Sequence, residues 1–251
     1  MPPLIGLFSL LALVDVGGVA GNWPVLEWIA KPLLAPVLAV HLWRRTGARH
    51  RPVPGPAVAF RSATRRLALA GLAFATAGDV ALLLPGTAAF GVGLVCFLGA
   101  QLCWTAAFLR AGALSYLRPR RVLGAAYLGG WAVAVGALAP RLGPVLGAAV
   151  AVYAFALISM ALTARVLGPR GACGGLVFVA SDLFVGLGAA GIGFPGSSVL
   201  VMVTYTVALV LLVDGFARAL EGGGCPAGQG ATEERAGGDR VAPAAEAFGT
   251  G

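Results

Sequence analysis

The amino-acid sequence predicts an all-α, polytopic membrane protein with eight transmembrane helices and both termini in the cytoplasm. Three observations support this fold class. First, 59% of the residues are hydrophobic and only 11% are charged, whereas soluble domains contain roughly 25% charged residues. Second, apolar runs recur at the length of about 20 residues that an α-helix needs to cross a bilayer. Third, arginines collect in every second connection between these runs.

The predicted helices are bounded by apolar runs, prolines and arginines. The first run lacks a basic segment before it and contains Asp15, so we interpret it as a retained helix and not as a signal peptide. The eight predicted helices cover residues 4–20, 25–43, 66–84, 88–110, 121–139, 142–164, 172–192 and 197–217.

The positions of the arginines fix the direction of each helix. Because cytoplasmic loops carry the excess of Lys and Arg, the connections after helices 2, 4, 6 and 8 are predicted to be cytoplasmic. Arg141 is the clear exception on the other side. The arginines of the cytoplasmic connections are Arg44, Arg45, Arg49, Arg51, Arg61, Arg65, Arg66, Arg110, Arg118, Arg120, Arg121, Arg165, Arg170 and Arg218.

The chain divides into a transmembrane domain and a tail. Residues 1–220 form the predicted eight-helix domain, and residues 221–251, rich in Gly and Ala with scattered charges, are predicted to be a disordered cytoplasmic tail. The basic connection 44–64 is expected to lie on anionic lipid headgroups. The predicted location is the cell (plasma) membrane.

The net charge of +8 does not indicate a nucleic-acid partner, because the basic residues lie in short loops and not on one continuous face. The cysteines have no metal-ligand spacing, and His41 and His50 lie at the cytoplasmic margin. No metal and no cofactor are therefore predicted.

Carboxylates inside the membrane are the main candidates for function, since an acidic group at the bilayer centre costs roughly 2.5–3.5 kcal/mol even on lenient scales. From the rise of an α-helix, Asp79 lies about 20 Å from the cytoplasmic end of helix 3, and Asp182 lies about 18 Å from that of helix 7. The two carboxyl groups are therefore predicted to share one depth, slightly beyond the midplane.

Further polar residues fall in the same layer. Lys31, Tyr153 and Tyr205 lie roughly 14–20 Å from the cytoplasmic face, and Asp15 lies at about 18 Å. Each also has a structural interpretation: Lys31 follows Glu27 by four residues and can form an ion pair with it, and Ser181 can bond to a helix carbonyl. For Asp15, both the functional and the structural interpretation remain open.

Two carboxyl groups in a poorly hydrated site do not both ionise readily, so one is expected to stay protonated near neutral pH. Such a pair supplies a general acid and a general base for hydrolysis of an ether-type bond through an oxocarbenium-like species. The same pair would also serve a proton-coupled transporter of small molecules or lipids. The residues alone leave both alternatives open.

Several segments carry a family resemblance. WIAKPLL at 28–34, AGDVALLLP at 77–85, VYAFALISM at 152–160, GGLVFVASD at 174–182 and the TY at 204–205 resemble, in this order, the motifs of the YhhN family of integral membrane proteins. The resemblance covers roughly residues 25–215. It implies eight transmembrane helices and hydrolysis of the vinyl ether bond of lysoplasmalogens, which releases a fatty aldehyde and a glycerophospho-alcohol.

Carried over by position, the Lys-Pro of the family falls on Lys31 and Pro32, its Gly-Asp on Gly78 and Asp79, and its Ser-Asp on Ser181 and Asp182. The chain departs from the family at Gln101, where members often have His, and at Leu209, where they often have Gln. The expected partners are a lysophospholipid substrate, water and membrane lipids, and the oligomeric state is left open. The expected site has Asp79 and Asp182 as catalytic residues and Lys31, Tyr153, Ser181 and Tyr205 as binding or orienting residues, with Asp15, Glu27 and Gln101 as further candidates.

Overall fold

The computed structural model describes residues 2–47 and 56–221, which are helical apart from short turns and contain no strand. All the described elements are helical and each predicted helix lies within one of them, apart from a few terminal residues, so the all-α fold class is confirmed. The helices are α1 (Pro2–Gly21), α2 (Pro24–Gly47), α3 (Pro56–Leu83), α4 (Thr87–Arg110), α5 (Ala113–Leu117), α6 (Arg121–Thr163), α7 (Pro169–Ala189) and α8 (Ser197–Glu221), with a 3₁₀ turn at Ala164–Leu167.

Among the described residues, seven helical stretches are long and apolar enough to cross a membrane, and one of them, Arg121–Leu167, is 47 residues long. A straight helix of that length would extend about 70 Å, more than twice the ~30 Å hydrocarbon core. The helix is broken at Gly143, whose φ of 76° and ψ of 171° belong to a region that essentially only glycine adopts. We call residues 121–142 the first arm of α6 and residues 144–163 its second arm.

The two arms fold back on each other as an antiparallel hairpin. The indole N–H of Trp131 in the first arm donates a 3.0 Å hydrogen bond to the carbonyl of Ala151 in the second arm. Its ring also packs edge-to-face on Phe155, with the ring centroids 6.0 Å apart. Because α6 therefore supplies two crossings, the described residues form eight, as the sequence predicts.

Helix α8 lies at the centre of the bundle and packs against α1, α2, α3 and α7. Around it, α2, α3, α4, α6 and α7 follow one another in contact. Many large apolar side chains lie on the outer surface, among them Val145 and Val122, which are 84% and 82% exposed. An apolar outer surface of this kind fits lipid and not water as the solvent.

Ion pairs join the helix ends at one face of the bundle. Asp214 near the end of α8 pairs with Arg45 of α2 at 2.7 Å, with Arg170 of α7 at 2.9 Å and with Arg218 of its own helix at 2.8 Å. Arg45 also pairs with Glu221 at 2.7 Å. Three of the arginines that the sequence assigns to the cytoplasmic side, Arg45, Arg170 and Arg218, therefore meet at one end of the bundle.

The structure corrects two details of the predicted segmentation. Helices α2 and α3 extend into the predicted connection 44–64, so Arg44, Arg45 and Arg61 are helical. Arginine has a high helix propensity, and its charge marks the membrane edge without ending the helix. The rest of that connection, residues 48–55, and the predicted tail from residue 222 onward lie outside the described residues.

Candidate functional site

A cavity of about 430 Å³ opens among six helices, and its size falls in the roughly 300–1,000 Å³ range of small-molecule sites. Its wall is mostly apolar. The polar residues that the sequence places at one depth and that line this cavity are Lys31, Asp79, Tyr153, Ser181, Asp182 and Tyr205. They come from α2, α3, the second arm of α6, α7 and α8.

The first carboxylate, Asp79, lies on α3 with only 1% of its surface exposed. The hydroxyl of Tyr205 on α8 donates a 2.7 Å hydrogen bond to Asp79 Oδ2. Two edge-to-face contacts hold the Tyr205 ring, with centroid distances of 5.9 Å to Phe97 and 5.8 Å to Phe178. Because the ring is fixed by packing, its hydroxyl is held in place for the carboxylate.

The second carboxylate, Asp182, lies on α7 and is only half-buried, since it faces the cavity. Its Oδ2 accepts a 2.5 Å hydrogen bond from the hydroxyl of Tyr153. The amide nitrogen of Gln101, a fully buried residue of α4, donates a longer bond of 3.4 Å to the same oxygen. Each carboxylate of the cavity therefore has a tyrosine on one oxygen, and the two tyrosines come from different helices.

The positive charge of the cavity comes from Lys31, the only lysine of the chain. Lys31 interacts electrostatically with both Asp79 and Asp15. The described residues contain no ion pair between Lys31 and Glu27, which the spacing of four residues would allow. Lys31 therefore interacts with carboxyl groups of α1 and α3, and it lines the cavity.

Comparison with known protein families identifies the family of this chain. The model of the YhhN family matches residues 26–216, which is most of the chain and includes all the polar residues of the cavity. The chain belongs to the YhhN family. No curated protein and no solved structure matches it.

The three further candidates do not line the cavity of this YhhN-family chain, although Gln101 reaches Asp182 through its 3.4 Å hydrogen bond. Asp15 on α1 is fully buried, and neither of its carboxylate oxygens has a hydrogen-bond partner among the described residues. Glu27 is half-buried near the start of α2. Neither Asp15 nor Glu27 lines the cavity although Asp15 has the expected depth, because depth along a helix does not specify the direction of a side chain around it.

Ser181 lines the cavity but uses its hydroxyl elsewhere. It donates a 3.1 Å hydrogen bond to the carbonyl of Val201 on α8. This bond joins α7 to a neighbouring helix, whereas the sequence predicts a bond from Ser181 to a carbonyl of α7 as the structural alternative. Ser181 therefore helps to position Asp182, the next residue, relative to α8.

One wall of the cavity, formed by the first arm of α6, is not predicted from the sequence. Six residues of this arm line the cavity: Ala126, Tyr127, Gly130, Trp131, Ala134 and Leu138. The signal was present in the spacing, since Ala126, Gly130, Ala134 and Leu138 recur every four residues and share one helix face. None of these residues is charged, so the energetic cost of placing a charge in the membrane does not indicate them as site residues.

Proposed function

We propose that this YhhN-family protein is a membrane-embedded hydrolase that cleaves the vinyl ether bond of lysoplasmalogen-type lysophospholipids. The observation that carries the proposal is the arrangement of Asp79 and Asp182, two carboxyl groups from different helices in one largely apolar cavity. The family resemblance supplies the substrate class, and the apolar wall suits a lipid.

The reaction needs a proton donor and a base. One of the two aspartic acids would protonate the vinyl carbon remote from the ether oxygen, which gives an oxocarbenium ion. The other would take a proton from water as the water oxygen bonds to the cationic carbon. The resulting hemiacetal breaks its bond to the ether oxygen, which leaves as the hydroxyl of the glycerophospho-alcohol, and the carbon chain leaves as an aldehyde. General acid and base groups contribute about 10²–10⁴-fold each in such reactions.

The other polar groups would position the reactants. Tyr205 and Tyr153 orient the two carboxyl groups through their hydrogen bonds. Lys31 provides a cation for the phosphate of the substrate. A lysophospholipid with one hydrocarbon chain and one phosphate matches a cavity that has one lysine and a mostly apolar wall.

The test is aldehyde release from lysoplasmalogen by purified Asp79→Asn and Asp182→Asn proteins. Each is expected to lose at least a hundredfold in turnover, at the lower end of the general acid–base contribution of about 10²–10⁴. Asp214→Asn is the matched control, because Asp214 lies in the ion pairs at the end of α8 and outside the cavity. Its turnover per folded molecule should equal that of the wild type.

Two results would overturn the proposal. The first is near wild-type turnover in both cavity variants. The second is substrate counterflow in liposomes without any aldehyde product, which would instead support the proton-coupled transporter.

A further inference from the structure

The cavity continues well beyond its polar groups. By helical rise, Ala126 lies about 8 Å from the cytoplasmic end of the first arm of α6. Ile158 of the second arm lies about 8 Å, and Leu176 of α7 about 9 Å, from the same side. All three line the cavity. A largely apolar section, to which Tyr127 also contributes, therefore extends from the layer of Asp182 toward the cytoplasmic half of the bilayer.

Small side chains form one wall of this section. Ala126, Gly130 and Ala134 face the cavity at intervals of four residues along the first arm of α6. The hydrogen bond from Trp131 to Ala151 and the ring contact with Phe155 fix the distance between the two arms. The arms cannot close on each other while these contacts hold, so the space beside the small residues is preserved.

Gly130 marks the open space. A Cβ added at Gly130 would meet no atom within 4 Å, and the same is true of its neighbour Gly129. The two glycines differ in one respect, since Gly130 lines the cavity and Gly129 does not. A larger side chain at Gly130 would therefore occupy the cavity without a clash, whereas one at Gly129 would leave the cavity unchanged.

We propose that this section binds the unbranched hydrocarbon chain of a single-chain lipid, which lies along Ala126, Gly130 and Ala134, and that Gly130 sets the chain length accepted. This inference rests on the proposed function, because it takes the polar layer as the place of the lipid headgroup and ether bond. The hydrocarbon chain of the lipid would displace no hydrogen bond of the protein, since the three residues present only backbone and methyl surface.

The experiment measures binding and needs no hydrolysis. The probe is a lysophosphatidylcholine with an alkyl ether chain of 16 carbons, which has no vinyl ether bond, together with its analogue of 8 carbons. Gly130→Leu is expected to weaken binding of the long-chain probe at least tenfold and that of the short-chain probe much less. Gly129→Leu, the matched control, should bind both probes like the wild type.

A second variant covers the case in which Gly130→Leu does not fold. Ala126→Leu narrows the same section farther from the polar layer, and it should again affect the long-chain probe selectively. Unchanged binding in both variants would overturn the inference. It would also be overturned if Ala189→Leu, at the opposite end of the cavity, reduced binding while Gly130→Leu did not.

The inference and the proposed function can fail separately. Chain-length discrimination by Gly130→Leu without any aldehyde release by the wild type would leave the chain site standing and reject the hydrolase. If the wild type releases aldehyde and Gly130→Leu does so at the same rate from long-chain and short-chain substrates, the chain-binding section is rejected and the hydrolase proposal stands.

Discussion

At the scale of single residues, the site is defined by which atoms each carboxyl group contacts. Asp79 and Asp182 each accept a tyrosine hydroxyl on Oδ2. Asp79 is enclosed, whereas Asp182 is half-exposed to the cavity. The two carboxyl groups therefore accept the same kind of hydrogen bond but differ in access to water. Replacing either tyrosine by phenylalanine tests the role of its carboxyl group without changing the charge of the site.

Tyr205→Phe removes the hydroxyl that bonds to Asp79 and keeps the ring that packs on Phe97 and Phe178. We expect aldehyde release to fall roughly tenfold, the equivalent of about one hydrogen bond. The melting temperature in detergent should change little, because interhelical hydrogen bonds in membranes average about 0.6 kcal/mol. Tyr116→Phe, outside the cavity, is the control, and equal activity in the two variants would contradict the assigned role.

Gln101→Leu tests the second donor to Asp182. Its hydrogen bond of 3.4 Å is longer than the 2.5 Å bond from Tyr153. A longer bond contributes less, so the loss of turnover should be smaller for Gln101→Leu than for Tyr153→Phe. Steady-state rates of aldehyde release on both variants decide this, and the reverse order would show that Gln101 acts on something other than Asp182.

At the scale of helices, close backbone approach holds the carboxylates in register. Gly175 of α7 lies against the second arm of α6, and a Cβ there would come within 2.8 Å of Ala161 Cα. Backbone atoms cannot move aside as a flexible side chain can. The glycine thus allows the helix that carries Asp182 to pack directly on the helix that carries Tyr153.

Gly175→Val is therefore expected to separate α7 from α6 and to lower the free energy of unfolding by about 1–3 kcal/mol, the usual cost of overpacking. Turnover should fall with it, because Asp182 moves away from Tyr153. Gly188→Val on the same helix is the matched control, since a Cβ at Gly188 meets no atom within 4 Å. Thermal unfolding in detergent measures both, and equal melting temperatures would refute the packing argument.

The sequence predicted the helices and the depth of the polar layer, but not the rotation of each helix about its axis. Arginines and apolar runs are one-dimensional signals, and depth follows from them through the helical rise. Asp15 is an example of a residue whose depth is predicted but whose direction around the helix is not, because it has the predicted depth of Asp182 but does not line the cavity. Rotation depends on how one helix packs on another, as at the contact of Gly175 with Ala161, and signals along a single helix do not specify it.

At the scale of the whole molecule, one ion-pair cluster joins the first and last parts of the chain. Asp214 pairs with Arg45, Arg170 and Arg218, so α2, α7 and α8 meet through a single carboxylate. The positive-inside rule assigns this face to the cytoplasm. The cluster thus connects helices that carry Lys31, Asp182 and Tyr205 at a point away from the cavity.

Asp214→Asn should lower the free energy of unfolding by about 1–2 kcal/mol, between the values for exposed and buried ion pairs, because the group is partly exposed. The difference from the wild type should shrink at high salt, since screening weakens such pairs. Glu27→Gln, at a carboxylate outside the cluster, is the control. Melting temperatures at two salt concentrations provide the measurement, and a salt-independent difference would contradict the electrostatic explanation.

Lys31 gives the whole protein a chemical property that its fold alone would not suggest. It is the only side-chain amine in 251 residues, and it opens onto the cavity in which a fatty aldehyde is proposed to form. An aldehyde condenses with a primary amine to give an imine and water, and borohydride reduces the imine to a stable secondary amine. Turnover in the presence of borohydride should therefore leave an alkyl chain on Lys31, and the mass of that adduct would record the length of the chain that the cavity had accepted.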